Sequence, residues 1–145
     1  MKSYIDSGIL IKLYVRERNS AEAIRVLRQF KSLDLNQLQE LEIRNTFRAL
    51  EGRTLISSFQ RASSEHELEV DFVKGRLQRS HPDWPQVFLE AVNLSRLYSV
   101  DTLARSLDLL HVAVAMQSGV DLFLTGDKRQ YAVALQAGLQ AEMIE

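Results

Sequence analysis

Cysteine is absent from this chain of 145 residues. That excludes disulfides, thiolate metal sites and a cysteine nucleophile. Proline occurs twice, both times in His81-Pro-Asp-Trp-Pro85. The segment is expected to be a turn leading into a helix, with Pro85 suited to the first helical turn. No run of about 18 apolar residues exists, so no membrane-spanning helix is expected. Met1-Lys-Ser leads directly into strand-like sequence, without the apolar stretch and cleavage site of a signal peptide. A soluble cytoplasmic protein is the expectation. Lysine is scarce, with five against thirteen arginines, and the net charge is −1. That balance argues against a generic nucleic-acid coat. Arginine suits bidentate phosphate contacts, and it equally serves surface pairing. There is no repeat, low-complexity tract or linker. A Gly-x-Ser-x-Gly nucleophile elbow and a glycine-rich phosphate loop are also missing.

What is present is one domain's length, with 46% hydrophobic residues to form a core. The pattern predicts a short first strand at Tyr4-Ile5 and a helix over residues 8–15. A helix over 21–30 follows, with Ser20 as its N-cap. A second strand is expected at 33–35, then a helix over 37–51 with Gly52 as C-cap. Residues 64–79 read as a polar helix, 85–98 and 106–118 as further helices, and Gly119 as a helix stop. Residues 121–125 form a buried strand, 128–137 a helix ending at Gly138, and 139–144 a last strand. Strands alternating with helices predict an α/β fold in which a mostly parallel central sheet is flanked by helices.

In such sheets ligands bind beyond the carboxyl ends of the strands. Four acids in apolar sequence stand out: Asp6 after the first strand, Glu42 and Asp108 within helices, and Asp127 after the 121–125 strand. Asp121 starts that strand and falls at the opposite edge. Acids in apolar surroundings are costly without a partner. These four have no matching basic residues beside them in sequence, which calls for a divalent cation. Oxygen ligands favour Mg²⁺ or Mn²⁺. Each acid also has a bland alternative: Asp6 and Asp127 as N-caps, Asp108 as a first-turn acid on the helix dipole, Glu42 as a solvated partner of an arginine.

Ser7 and Thr125 offer hydroxyls beside Asp6 and Asp127, to orient a water or to cap. Lys128 and Arg129 are candidates for phosphate contacts, or belong to a solvated helix face. Arg44 and Arg48 share a helix face, either along an RNA or partner path or in surface pairs. His111, one turn after Asp108, reads as a core histidine, and His66 and His81 as surface residues.

The stretch Asp6-Ser7-Gly8-Ile9-Leu10-Ile11-Lys12 resembles the opening of the PIN-domain nucleases. Leu41-Glu42-Ile43-Arg44-Asn45 is similar to their second acidic motif, Ser106-Leu107-Asp108-Leu109-Leu110-His111 to the third, and Thr125-Gly126-Asp127-Lys128 to the fourth. The motifs occur in order and cover essentially the whole chain. Gly8 stands where many members carry serine, and Gly126 where a bulkier residue is common. The likeness is greatest to the VapC-type toxins of toxin–antitoxin pairs.

The resemblance implies a three-layer PIN-like fold and a metal-dependent endoribonuclease. It also implies an antitoxin whose tail presents Arg or Lys to the acidic cleft, and a homodimer. Leu13, Tyr14 and Leu27, apolar residues on the early helices, fit that interface and fit core packing equally. Asp6 and Asp108 are expected as direct metal ligands. Glu42 and Asp127 are expected to hold metal-bound waters or a second ion, the two ions being roughly 3.5–4 Å apart. The rival readings are a Mg²⁺-binding phosphoacceptor domain of receiver type, for which Asp6 lacks an acidic neighbour, and a PIN scaffold that only binds.

Overall fold

The computed structural model describes residues 1–16 and 20–144. The chain divides into two compact units, one formed by residues 1–6 and 81–145, the other by residues 7–80.

The first unit contains β1 (Ser3–Ile5), α5 (Trp84–Thr102), α6 (Ser106–Ser118), β4 (Leu122–Thr125), α7 (Lys128–Gln136) and β5 (Ala141–Met143). Its sheet has the order β1-β4-β5, and both pairings are parallel. Ile5 lies opposite Leu124, and Thr125 opposite Met143. All four residues of β4 are buried, as expected of a central parallel strand covered on both faces. Tyr4 stacks on Phe123 with ring centroids 5.5 Å apart. Around them pack Val87 and Leu94 of α5, Val112 to Ala115 of α6, and Val133 and Ala134 of α7. Burying an aromatic side chain such as Phe123, which has no exposed surface, contributes about 1.5–3 kcal/mol.

The second unit contains α1 (Ser7–Ile11), α2 (Ser20–Leu27), β2 (Leu33–Leu35), α3 (Gln37–Gly52), α4 (Ser58–Val73) and β3 (Leu77–Arg79). β2 and β3 form a separate parallel pair. Two reciprocal capping boxes set its helix starts. Asn36 and Gln39 exchange side-chain and backbone bonds at α3, and Ser57 and Gln60 do so at α4. Phe47 is fully buried, with Tyr14 packed edge-on against it.

The α/β class and the parallel pairing agree with the sequence, but several element limits differ. Residues 64–79 are not one helix. α4 stops at Val73, Gly75 takes a left-handed φ of 75°, and the chain resumes as β3. The first helix covers only Ser7–Ile11, and Lys12 to Tyr14 form a turn. Gly52 is the last residue of α3 and Arg53 its C-cap. Ser20 is already helical, and the three residues before it lie outside the described ones. Gly119 does end α6 in the left-handed conformation, at φ 64°.

Candidate functional site

In the first unit, β1 and β4 are parallel neighbours, so their carboxyl ends share one edge. Asp6 follows β1 directly, and its N–H donates to the Leu124 carbonyl at 2.9 Å. The ladder thus continues one residue past the strand and fixes the carboxylate. Thr125, fully buried, donates its hydroxyl to Asp6 Oδ2 at 3.0 Å. Gln130 Oε1 is farther from it, at 3.4 Å, and a hydroxyl has one proton to give. The same Thr125 oxygen accepts the Asp127 N–H at 3.0 Å.

Asp127 is the N-cap of α7. Its Oδ1 accepts the N–H groups of Arg129 at 2.8 Å and Gln130 at 3.1 Å. Asp108, 1% exposed, lies in the first turn of α6. Its Oδ2 accepts the Arg105 N–H at 2.8 Å, and its Oδ1 accepts Gln130 Nε2 at 3.2 Å.

One guanidinium joins the two acids. Arg105 Nε lies 3.2 Å from Asp108 Oδ2, and Arg105 Nη2 lies 2.8 Å from Asp127 Oδ2. Asp6, Thr125, Asp127, Arg105, Asp108 and Gln130 therefore form one connected polar network. The expectation that the acids have no matching basic residue is corrected for this pair. The match lies three residues before Asp108, where an i, i+3 contact on the first helical turn is short. The bond to Asp108, then the nearby charges of Asp108 and Asp127, raise the Arg105 pKa further above its already high ordinary value.

In the second unit, Glu42 is half-buried on α3, and Ser7 Oγ donates to its Oε1 at 2.8 Å. Both hydroxyls considered for water thus bond to a carboxylate, Thr125 to Asp6 and Ser7 to Glu42. Lys128 and Arg129 are exposed at the start of α7. Asp121 lies at the opposite end of β4, where its Oδ2 accepts the Lys2 N–H at 2.8 Å.

His111 is a buried core residue, with Nδ1 2.6 Å from the Tyr4 hydroxyl. Arg44 pairs with Glu40 and Glu69, and Arg48 with Glu65. Those pairs favour the surface-pairing reading. Leu27 has no exposed surface, which is the core-packing alternative for that residue.

Arg105 and Gln130 were not singled out by the sequence. The signal for Gln130 was its place three residues after the capping Asp127, where a side chain turns back over the helix start.

Among the described residues, no three His, Asp or Glu side chains converge as a ready metal cage. The donor chemistry nevertheless fits Mg²⁺ or Mn²⁺, which bind through as few as one or two carboxylates and keep several waters. A cationic group already bridges Asp108 and Asp127, which shows that two of these oxygens can share one positive charge.

A family model described as PIN domain matches residues 3–135. The chain belongs to the PIN-domain family, a nuclease fold. That membership displaces the receiver-type reading. No curated protein matches the chain. Among solved structures, FitAcB from Neisseria gonorrhoeae is similar at 14% identity and a TM-score of 0.68, covering 96% of this chain and 95% of that one. PAE2754 from Pyrobaculum aerophilum is similar at 17% identity and a TM-score of 0.60, covering 97% and 89%. A domain of a functionally unknown protein from Methanocaldococcus jannaschii gives 17% identity and a TM-score of 0.55, covering 100% and 92%. At these identities the likeness is one of fold.

Proposed function

We propose that this chain is a Mg²⁺- or Mn²⁺-dependent endoribonuclease, the VapC-type toxin of a toxin–antitoxin pair. The observation that carries the reading is the polar network that ties Asp6, Asp108 and Asp127 together at the carboxyl ends of β1 and β4.

Asp6 and Asp108 are the proposed direct ligands, with Asp127 holding coordinated water. Glu42 is assigned to the same task by the family likeness, and Ser7, Asp6's chain neighbour, orients its carboxylate. When bound, the metal supplies a water of lowered pKa and positive charge against the scissile phosphate. The residues do the rest by position. Thr125 and Gln130 direct oxygens of Asp6 and Asp108 with neutral donors, which leave the acids their charge. The two N–H groups on Asp127 Oδ1 hold that carboxylate, while its Oδ2 pairs with the exposed guanidinium of Arg105. Asp127 or Glu42 is the proposed acceptor of the water's proton. Lys128 and Arg129, both exposed, are the proposed contacts to backbone phosphates.

A free nuclease of this kind endangers its cell, which supports an antitoxin that covers the acids with Arg or Lys. The Arg105 pairing supports that chemistry, since a guanidinium already fits two of them. A homodimer remains part of the proposal on family likeness.

The test is cleavage of RNA by purified chain freed of antitoxin, with Mg²⁺ or Mn²⁺ and with EDTA. Asp108→Asn should abolish cleavage while the fold is kept, and Asp121→Asn should leave it intact. The reverse pattern would refute the site.

A further inference from the structure

Arginine is an odd residue for an N-cap, because it has no acceptor to offer the helix N–H groups. Arg105 holds that position in α6 and turns its side chain onto Asp108 and Asp127 instead. The bridge is asymmetric. The Asp108 side chain is 2% exposed, whereas that of Arg105 is 60% exposed. The anion is fixed from behind by Gln130 Nε2 and by the Arg105 backbone N–H. The guanidinium is held only at its inner edge. It can leave for solvent without moving either carboxylate or the backbone bond that caps the helix.

The oxygens it covers, Oδ2 of Asp108 and Oδ2 of Asp127, are the ones that the nuclease reading needs for metal and coordinated water. A divalent cation on those oxygens would sit against the guanidinium, and the two cations there would repel one another. The guanidinium fork recognises phosphate as well as carboxylate.

Resting on that reading, we propose that Arg105 is an exchangeable counter-ion: it neutralises Asp108 and Asp127 before metal binds, is displaced by the divalent cation, and then binds a backbone phosphate of the RNA. Without metal it offsets the repulsion between the two acids. With metal it adds positive charge at the rim for the substrate. Among the described residues, the other arginines in carboxylate pairs, Arg44, Arg48, Arg61 and Arg79, bond glutamates on the helices of the second unit. None of those glutamates is as buried as Asp108.

The experiment compares wild type with Arg105→Gln and Arg105→Lys, each shown to be folded by circular dichroism. Calorimetric Mn²⁺ titration should give at least about five-fold tighter binding in R105Q, with R105K between it and wild type, because a competing charge is removed. A residue that merely shaped the site would weaken Mn²⁺ binding when lost. Steady-state RNA cleavage at saturating Mn²⁺ should show KM raised several-fold in R105Q, with a smaller change in kcat. Metal binding and cleavage by wild type, combined with R105Q that binds Mn²⁺ no more tightly, overturns the exchange and leaves the nuclease reading standing. An unchanged KM overturns the assignment to phosphate. Wild type that takes up no Mn²⁺ and cleaves no RNA overturns the nuclease reading and the exchange with it.

Discussion

Thr125 Oγ1 lies 3.0 Å from Asp6 Oδ2 although 119 positions separate the two residues. The bond joins the carboxyl ends of β1 and β4, and the same hydroxyl oxygen accepts the N–H of Asp127. A buried threonine thus sets the position of two acids at once.

Thr125→Val is nearly isosteric and removes both bonds. A buried group left without its partner costs about 1–3 kcal/mol. Urea unfolding should show a loss of that order, and Thr125→Ser should recover most of it. A stable valine variant would mean that neither acid depends on this hydroxyl.

In the second unit, Glu40 accepts from Arg79 Nε at 2.9 Å and from Arg44 Nε at 3.0 Å. The Arg79 bond, then the Arg44 bond, hold its carboxyl below the ordinary value of 4.5, against the opposing effect of partial burial. A depressed folded pKa means that the unfolded chain binds the proton more readily. The stabilisation is therefore present above pH 4.5 and fades as pH falls through the lower folded value. Being partly exposed, the cluster should contribute no more than about 1 kcal/mol. The stability gap between wild type and Glu40→Gln should be full at pH 6 and shrink toward pH 3. A gap that ignores pH would refute the charge assignment.

Tyr14 tests the opposite sign. Its hydroxyl donates to Asp71 Oδ2 at 2.7 Å. Burial first, and then the Asp71 bond and charge, raise its pKa far above the ordinary 10.0. The unfolded chain then loses this proton first, so the stabilisation is present below pH 10 and declines above it. Tyr14→Phe should cost about 1 kcal/mol near neutrality, the net value of one hydrogen bond. Its deficit against wild type should narrow between pH 9 and about 11. A constant deficit would show that the hydroxyl is not held neutral.

The legible parts of fold and site were the local ones. Asp6 and Asp127 follow short apolar runs, and Asp108 opens an apolar helix, so their places at element ends could be read directly. β3 could not. Its three residues include one buried side chain, Leu77, and it exists as a strand because β2 pairs with it. The break between α4 and β3 rests on Gly75, one glycine in a polar stretch. Arg105 was half legible. Its contact with Asp108 is an i, i+3 neighbour relation, but its contact with Asp127 spans 22 residues and needs α6 beside the end of β4. Leu27 stayed open between core and interface, because an apolar helix residue looks the same whether it faces the core or a partner.

Metal binding is the broadest test of the site as a set. Asp6, Asp108 and Asp127 belong to one polar network, with one cationic side chain, Arg105, among them. Like charges gathered in the folded chain and dispersed in the unfolded one weaken the fold, and a divalent cation that binds only the folded state reverses this. At a Mn²⁺ concentration of 100 times Kd the gain is about 2.7 kcal/mol, which for a chain of this size raises Tm by about 5–10 °C. Sodium chloride at matched ionic strength should not reproduce the shift, because screening acts on exposed charges and Asp108 is buried. Asp6→Asn should reduce the Mn²⁺ shift, since a neutral amide binds a hard cation poorly. The same variant should melt no lower than wild type in EDTA, because it removes one of the repelling charges while its amide oxygen can still accept from Thr125. A Tm that ignores millimolar Mn²⁺ in wild type would mean that these acids serve as helix caps and partners of Arg105, and do not form a metal site.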